Sequence, residues 1–276
     1  MAEISLRLLR SIQLPIDAPE ITPNLLATKS EAEISNLKIW EGNAKVELSR
    51  VFQVSVNDDG DANKTLIRII GNVAKVRRIG YRMETGSVII EGNVGMYLGE
   101  EMSGGSIVVT GNVESWLGVK MKGGQIEVKG NAGDLVGAGY RGTTLGMNGG
   151  SILINGNAGD EIGCWMRNGT IRVKGNTGFM PGIHMNGGTI LIEGNCEGRA
   201  GAQMRGGKIL VTGHIPSILP SFTFEDIQQK AKFGEEKIPG PFYLYSGDLN
   251  EDGKGKLSVS IANNPQLKWY ERYLEV

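Results

Sequence analysis

Two cysteines and two histidines, Cys164, Cys196, His184 and His214, form the soft-ligand set from which a zinc site could be built. A run Gly137-Ala138-Gly139-Tyr140-Arg141-Gly142 matches the G-x-G-x-x-G fingerprint, whose glycines set a pyrophosphate on a helix N-terminus in a βαβ unit. Paired carboxylates on one strand face would be the signature of acid/base work on a glycosidic bond. With two histidines in the chain, no Ser-His-Asp or Cys-His-Asn arrangement is in view. Each of these readings depends on which element carries the residues.

The organising feature is a repeat. The 276 residues hold 42 glycines, about twice the usual share. Gly-Asn begins at residues 71, 92, 111, 130, 156, 175 and 194, with Gly213-His214 as a modified eighth instance. The intervals are 21, 19, 19, 26, 19, 19 and 19 residues. Met83, Met102, Met121, Met147, Met166, Met185 and Met204 each stand nine residues before the next of those glycines. The two long intervals place their extra residues between Gly-Asn and Met, so one corner of the unit accepts insertions.

Between the corners, pairs such as Ile107/Val109, Ile126/Val128 and Ile171/Val173 alternate with a variable residue, the period of a short half-buried strand. Gly-Gly before the strand and Gly-Asn after it supply turns. A unit this short cannot bury its own apolar face and must stack on its neighbours. The expected fold is all-β, a right-handed parallel β-helix of seven to eight 19-residue coils spanning 71–214. The asparagines should stack with each side-chain amide donating to the next, and the methionines should fill an interior column. Residues 1–70 read as strands pairing over the first coil, with a turn at Asn57-Asp58-Asp59-Gly60. In the capping segment 215–276, Phe222 to Phe233 has helical spacing at Phe222, Ile227 and Ala231, a cap at Thr223 and a stop at Gly234. Lys256 to Ile261 reads as a further strand.

This register reassigns the candidate chemistry. Cys164 and His184 lie eight and nine residues past their Gly-Asn glycines, while Cys196 and His214 lie at the Gly-Asn corner, so the four are not one metal site. The G-x-G-x-x-G run falls in the seven-residue insertion, followed by more repeat and no helix, so no nucleotide site is expected. That insertion, with Tyr140, Arg141, Thr143 and Thr144 at one corner, reads either as a contact loop for a partner or as a solvated bulge. The variable strand positions are Ile89, Val108, Glu127, Leu153, Arg172, Leu191 and Leu210, a mostly apolar stripe that needs covering by the chain's tails or by a partner. No catalytic, cofactor-binding or metal-ligating residue is assigned. Balanced charge, 29 Lys+Arg against 30 Asp+Glu, argues against a nucleic-acid partner. No apolar run reaches the ~20 residues of a membrane span, and no export signal precedes the two thiols, so a cytoplasmic setting is expected.

The glycine-rich coils resemble the solenoid domain at the carboxyl end of the glutamate synthase large subunit. The chain as a whole is similar to the C subunit of formylmethanofuran dehydrogenase. That likeness extends through Pro23-Asn24-Leu25-Leu26-Ala27-Thr28-Lys29-Ser30, Glu41-Gly42-Asn43, the coils, Tyr245-Ser246-Gly247-Asp248-Leu249 and Gly253-Lys254-Gly255. The resemblance implies a scaffold subunit without catalytic residues, in a complex that reduces carbon dioxide and formylates methanofuran in methanogenesis. It places the tungsten or molybdenum pterin, the iron-sulfur clusters and a further metal site on formate-dehydrogenase-like and amidohydrolase-like partner subunits. The same fold resembles the C subunit of the formyltransferase/hydrolase complex. A free-standing binding module and a carbohydrate-cleaving β-helix are the other readings.

Overall fold

The computed structural model describes residues 3–57 and 60–275, so Asp58 and Asp59 of the expected turn lie outside the described residues. The chain is mostly β. Among the described residues its main sheet has thirteen strands: β1 (Glu3–Leu8), β2 (Phe52–Asn57), β3 (Leu66–Ile70), β4 (Ser87–Glu91), β5 (Ser106–Val109), β6 (Gln125–Val128), β7 (Asn148–Ile154), β8 (Asn168–Val173), β9 (Asn186–Ile192), β10 (Gly206–Val211), β11 (Thr223–Phe233), β12 (Glu236–Gly247) and β13 (Gly255–Ser260). Their spatial order is β11-β12-β13-β10-β9-β8-β7-β6-β5-β4-β3-β1-β2. The sheet is mixed and open: parallel where the repeats stack, antiparallel at both ends, where the flanks fold back.

Register follows the repeat. Ile107 pairs with Ile126 and Ile126 with Ile152, so the same residue of each repeat sits beside its counterpart one strand spacing, about 4.8 Å, away. The alternating Ile and Val side chains point into the core, and all seven repeat methionines have no exposed surface. The glycines are explained as much by these columns as by turns. A Cβ on Gly188 would lie 2.7 Å from the ε-methyl of Met166, and one on Gly150 would lie 2.7 Å from that of Met121. A Cβ on Gly118 would lie 2.6 Å from Cδ1 of Ile152. Each side chain thus occupies the hollow left by a glycine in an adjoining repeat.

The asparagine ladder forms differently from the expected amide-to-amide chain. Oδ1 of Asn93, Asn112, Asn131, Asn157 and Asn176 accepts from the backbone N–H of the asparagine one repeat on, at 2.8 Å in each case. His214 takes the last place, its N–H donating to Asn195 Oδ1 at 2.9 Å. This geometry presses the oxygen onto the next corner: a Cβ on Gly156 would lie 2.3 Å from Asn131 Oδ1. Glycine is required there for close approach.

The segment expected to be a helix at Phe222–Phe233 is instead β11, paired antiparallel with β12. The register shift at Phe224/Asp226 inserts a residue into β11, and the one at Gln228/Lys230 inserts its extra residue into β12 instead, at Gly240-Pro241. The bulge in β11 sets Phe224 and Ile227 three residues apart and Ala231 follows four on, so its more buried residues are spaced as on a helix. The hairpin folds over the outer face, where Ala231, Ile238 and Phe242 pack on Leu191 and Leu210, with Phe233 alongside. Arg172 ties down its tip through Glu236 at 2.7 Å. The chain's own tail therefore covers one end of the apolar stripe, while Ile89, Val108 and Leu153 remain half-buried.

At the other end, β1 runs parallel to β3 and antiparallel to β2. Two short helices, Pro23–Leu26 and Glu31–Ser35, pack beside them, the second held by a capping box between Ser30 and Glu33. Both lie outside the repeat, whose pattern gives no sign of either helix.

Candidate functional site

One corner of the stack departs from repeat regularity, and it is where the insertion lies. Among the described residues, non-glycine side chains occupy the left-handed backbone region in pairs, including Tyr97 and Glu101, Trp116 and Lys120, Glu161 and Trp165, and Met180 and His184, whereas the repeat with the insertion has Leu135 alone. Such conformations cost side chains free energy and are uncommon. Hydrogen bonds between repeats hold them here: Trp116 N–H donates to Asp134 O at 2.8 Å, and Glu101 N–H to Val119 O at 2.8 Å. Side chains that would otherwise lie along the chain are thus turned outward over the corner.

The rings of Tyr97, Trp116 and Tyr140 gather there with centroids 5.8–6.0 Å apart. Tyr140 comes from the insertion, and its hydroxyl donates to Glu100 Oε1. Glu100 is 4% exposed and occupies a register position filled by Val119, Ala138, Cys164, Ile183 and Ala202 in the following repeats. Its second oxygen, Oε2, has no hydrogen-bond partner and lies 3.4 Å from Arg78 Nε, which is 3.7 Å from Asp17 Oδ1. Burial, and then the bond to Glu100, push the Tyr140 phenol well above its ordinary pKa, so it stays a neutral donor. Lys120 Nζ lies 4.9 Å from the Tyr140 ring centre.

The three residues expected to contact a partner therefore divide. Tyr140 is turned inward as an anchor. Thr143 is half-buried, its N–H and Oγ1 both donating to Tyr140 O at 3.0 and 2.9 Å. Arg141 is exposed, as are Thr144 and Leu145. Motif reading misses the anchors Tyr97, Trp116 and Glu100. The register carries a signal, since a carboxylate stands at Glu100 in a column of small or apolar residues.

The remaining candidates are dispersed. Cys164 packs with Leu135 and Ala138, and burial pushes its thiol up to about 12. His184 stacks on Trp165 at 4.2 Å between centroids. Cys196 lies in the core, and His214 ends the asparagine ladder. Among the described residues no group of three or more His, Cys, Asp or Glu is placed to hold a metal ion. No strand, turn and helix succession follows Gly137–Gly142, as a pyrophosphate cradle requires. The charged positions in the stripe are engaged in ion pairs: Glu127 with Lys129, and Arg172 with Glu193 and Glu236. The hydrogen bond from Lys129 holds Glu127 below its ordinary pKa, the opposite of what a general acid needs. No helix among the described residues is long and apolar enough to cross a membrane.

No protein-family model matches the chain. It is 54% identical over 269 residues to the C subunit of the tungsten-containing formylmethanofuran dehydrogenase 2 of Methanothermobacter thermautotrophicus, covering 97% of this chain and 100% of that one. A match to the C subunit of the molybdenum-containing formylmethanofuran dehydrogenase 1 of Methanosarcina barkeri is 40% identical over 98 residues and covers 36% of this chain and 33% of that protein. Among solved structures, a chain of the formyltransferase/hydrolase complex of Methylorubrum extorquens, crystallised with methylofuran, superimposes with a TM-score of 0.80 at 29% identity. That superposition covers 93% of this chain and 99% of the other.

Proposed function

Because the chain belongs to the family of formylmethanofuran dehydrogenase C subunits, we propose that it is the non-catalytic scaffold of such a complex. The full-length match at 54% identity carries this reading. Supporting it, the strand side chains are consumed by packing columns and ion pairs, and the ionisable groups at the irregular corner hold a loop in place.

In this reading the repeats of 71–214 form a right-handed parallel β-helix, capped by 1–70 and 215–276. The complex works in the cytoplasm, reducing carbon dioxide and formylating methanofuran. The tungsten or molybdenum pterin, the iron-sulfur clusters and a further metal site sit on formate-dehydrogenase-like and amidohydrolase-like partners. The scaffold role is tested by assaying formylmethanofuran oxidation with the purified chain, with the other subunits, and with both together. Turnover is expected to need the other subunits and to be stabilised by this chain; turnover by this chain alone would refute the proposal. The similarity to the formyltransferase/hydrolase chain favours a second reading, membership of a complex that transfers the formyl group without the redox step. Tungsten or molybdenum in the assembled complex separates the two.

A further inference from the structure

The insertion at the fourth Gly-Asn interval is built as a rigid projection. Its base is closed by Gly139 N–H donating to Cys164 O at 3.0 Å, Gly146 N–H to Trp165 O at 2.9 Å and Met147 N–H to Gly137 O at 2.9 Å. A Cβ on Gly139 would lie 2.5 Å from Leu145 O, so the two arms of the loop are in close contact. Tyr140 locks it laterally to two earlier repeats through Glu100 and the rings of Tyr97 and Trp116. Apart from the bond from Arg167 to Thr144 O, the tip stands open: a Cβ on Gly142 would meet nothing within 4 Å, and Leu145 is 49% exposed.

Around that tip cations are in excess. Arg141, Lys120 and Arg167 form no ion pair among the described residues; Lys120 lies over the Tyr140 ring and Arg167 donates to Thr144 O at 3.3 Å. Of the nearby acids, Glu100 is engaged by Tyr140 and Glu101 by Arg82 and Lys122, and Glu161, which acts on Cys164 as Arg141 does, leaves the three cations in excess. An exposed leucine flanked by uncompensated cations on a pre-ordered loop suits a partner that places carboxylates around an apolar pocket.

Resting on the scaffold reading, we infer that the Arg141–Leu145 tip is a docking prong for a partner subunit whose surface joins an acidic rim to a leucine-sized apolar pocket. Tyr140 is its positioning residue. Ordering the loop in the free chain removes an entropic cost that a flexible loop would meet on binding.

The test uses the tagged full-length chain co-expressed with the other subunits of its complex. Arg141→Glu combined with Leu145→Asp is expected to lower recovery of at least one subunit ten-fold or more, with the melting temperature of the isolated chain unchanged. Recovery by the unmodified chain should fall as salt is raised. A photo-crosslinking residue at position 145 is expected to capture a partner peptide containing Asp or Glu, and this readout stands even where the double variant folds poorly. Tyr140→Phe should weaken recovery less than the tip variant. Full recovery with the tip variant, or no crosslink from position 145 in an assembled complex, overturns the inference. Failure of the unmodified chain to recover any subunit would instead overturn the scaffold reading.

Discussion

Met166 and Gly188 offer a quantitative test of how the repeats hold together. Met166 is fully buried, and its ε-methyl lies 2.7 Å from where a Cβ on Gly188 would stand. Gly188 also has φ of +84°, in the left-handed region. Gly188→Ala therefore carries a backbone cost of about 1–2 kcal/mol and an overpacking cost of about 1–3 kcal/mol. Met166→Ala leaves a cavity at a cost of about 2–5 kcal/mol. In the double variant the new methyl enters space the methionine has vacated, so the clash with Met166 is relieved, while the backbone cost and the close contacts with Gly169 O at 3.1 Å and the Asn168 carbonyl carbon at 3.2 Å remain. The double variant should be less destabilised than the sum of the single variants by about 1–3 kcal/mol. Urea titrations of the four proteins, followed by circular dichroism with a common slope, measure this coupling. Additivity within about 0.5 kcal/mol would refute the account of methyl and glycine as one packing unit.

Other consequences are measurable with the same preparations. Asn157→Leu removes the acceptor for Asn176 N–H and should lower stability by about 1 kcal/mol, whereas Asn157→Asp keeps an acceptor and should cost less; equal melting temperatures for the two would contradict the ladder geometry. Phe242→Ala should cost about 3–5 kcal/mol and expose Leu191 and Leu210, seen as increased binding of a hydrophobic dye; unchanged dye binding would mean that the hairpin does not cover the stripe. The Cys164 thiol, raised to about 12, should resist alkylation at pH 8 in the native protein and react promptly in denaturant; fast native labelling would contradict its burial. For Glu127, whose pKa lies below the ordinary 4.5, the stabilisation is complete above that value and is lost as pH falls through the lowered folded value. Glu127→Gln should accordingly flatten acid unfolding in that window, and an unchanged acid limb would count against the pairing with Lys129.

The repeat is legible because each column is a single residue type: methionine, asparagine or glycine at a fixed offset reports one environment repeated along the stack. What depends on contacts between repeats is less legible. The direction of the asparagine bonds is decided by which backbone N–H faces Oδ1 one repeat away. The hairpin is concealed because a bulge between Phe224 and Asp226 spaces Phe224, Ile227 and Ala231 as on a helix. At the corner, the insertion points to Tyr140, Arg141 and Thr143, but their roles divide according to a partner 40 residues earlier, Glu100. Comparing columns exposes that carboxylate; searching for motifs does not.

The most direct measurement for the central claim is affinity purification of the tagged chain from cells that make all the subunits, followed by mass spectrometry and metal analysis of the eluate. A scaffold of a formylmethanofuran dehydrogenase should bring down larger subunits in fixed proportion together with tungsten or molybdenum. A stable chain that elutes alone, with neither, would contradict the account.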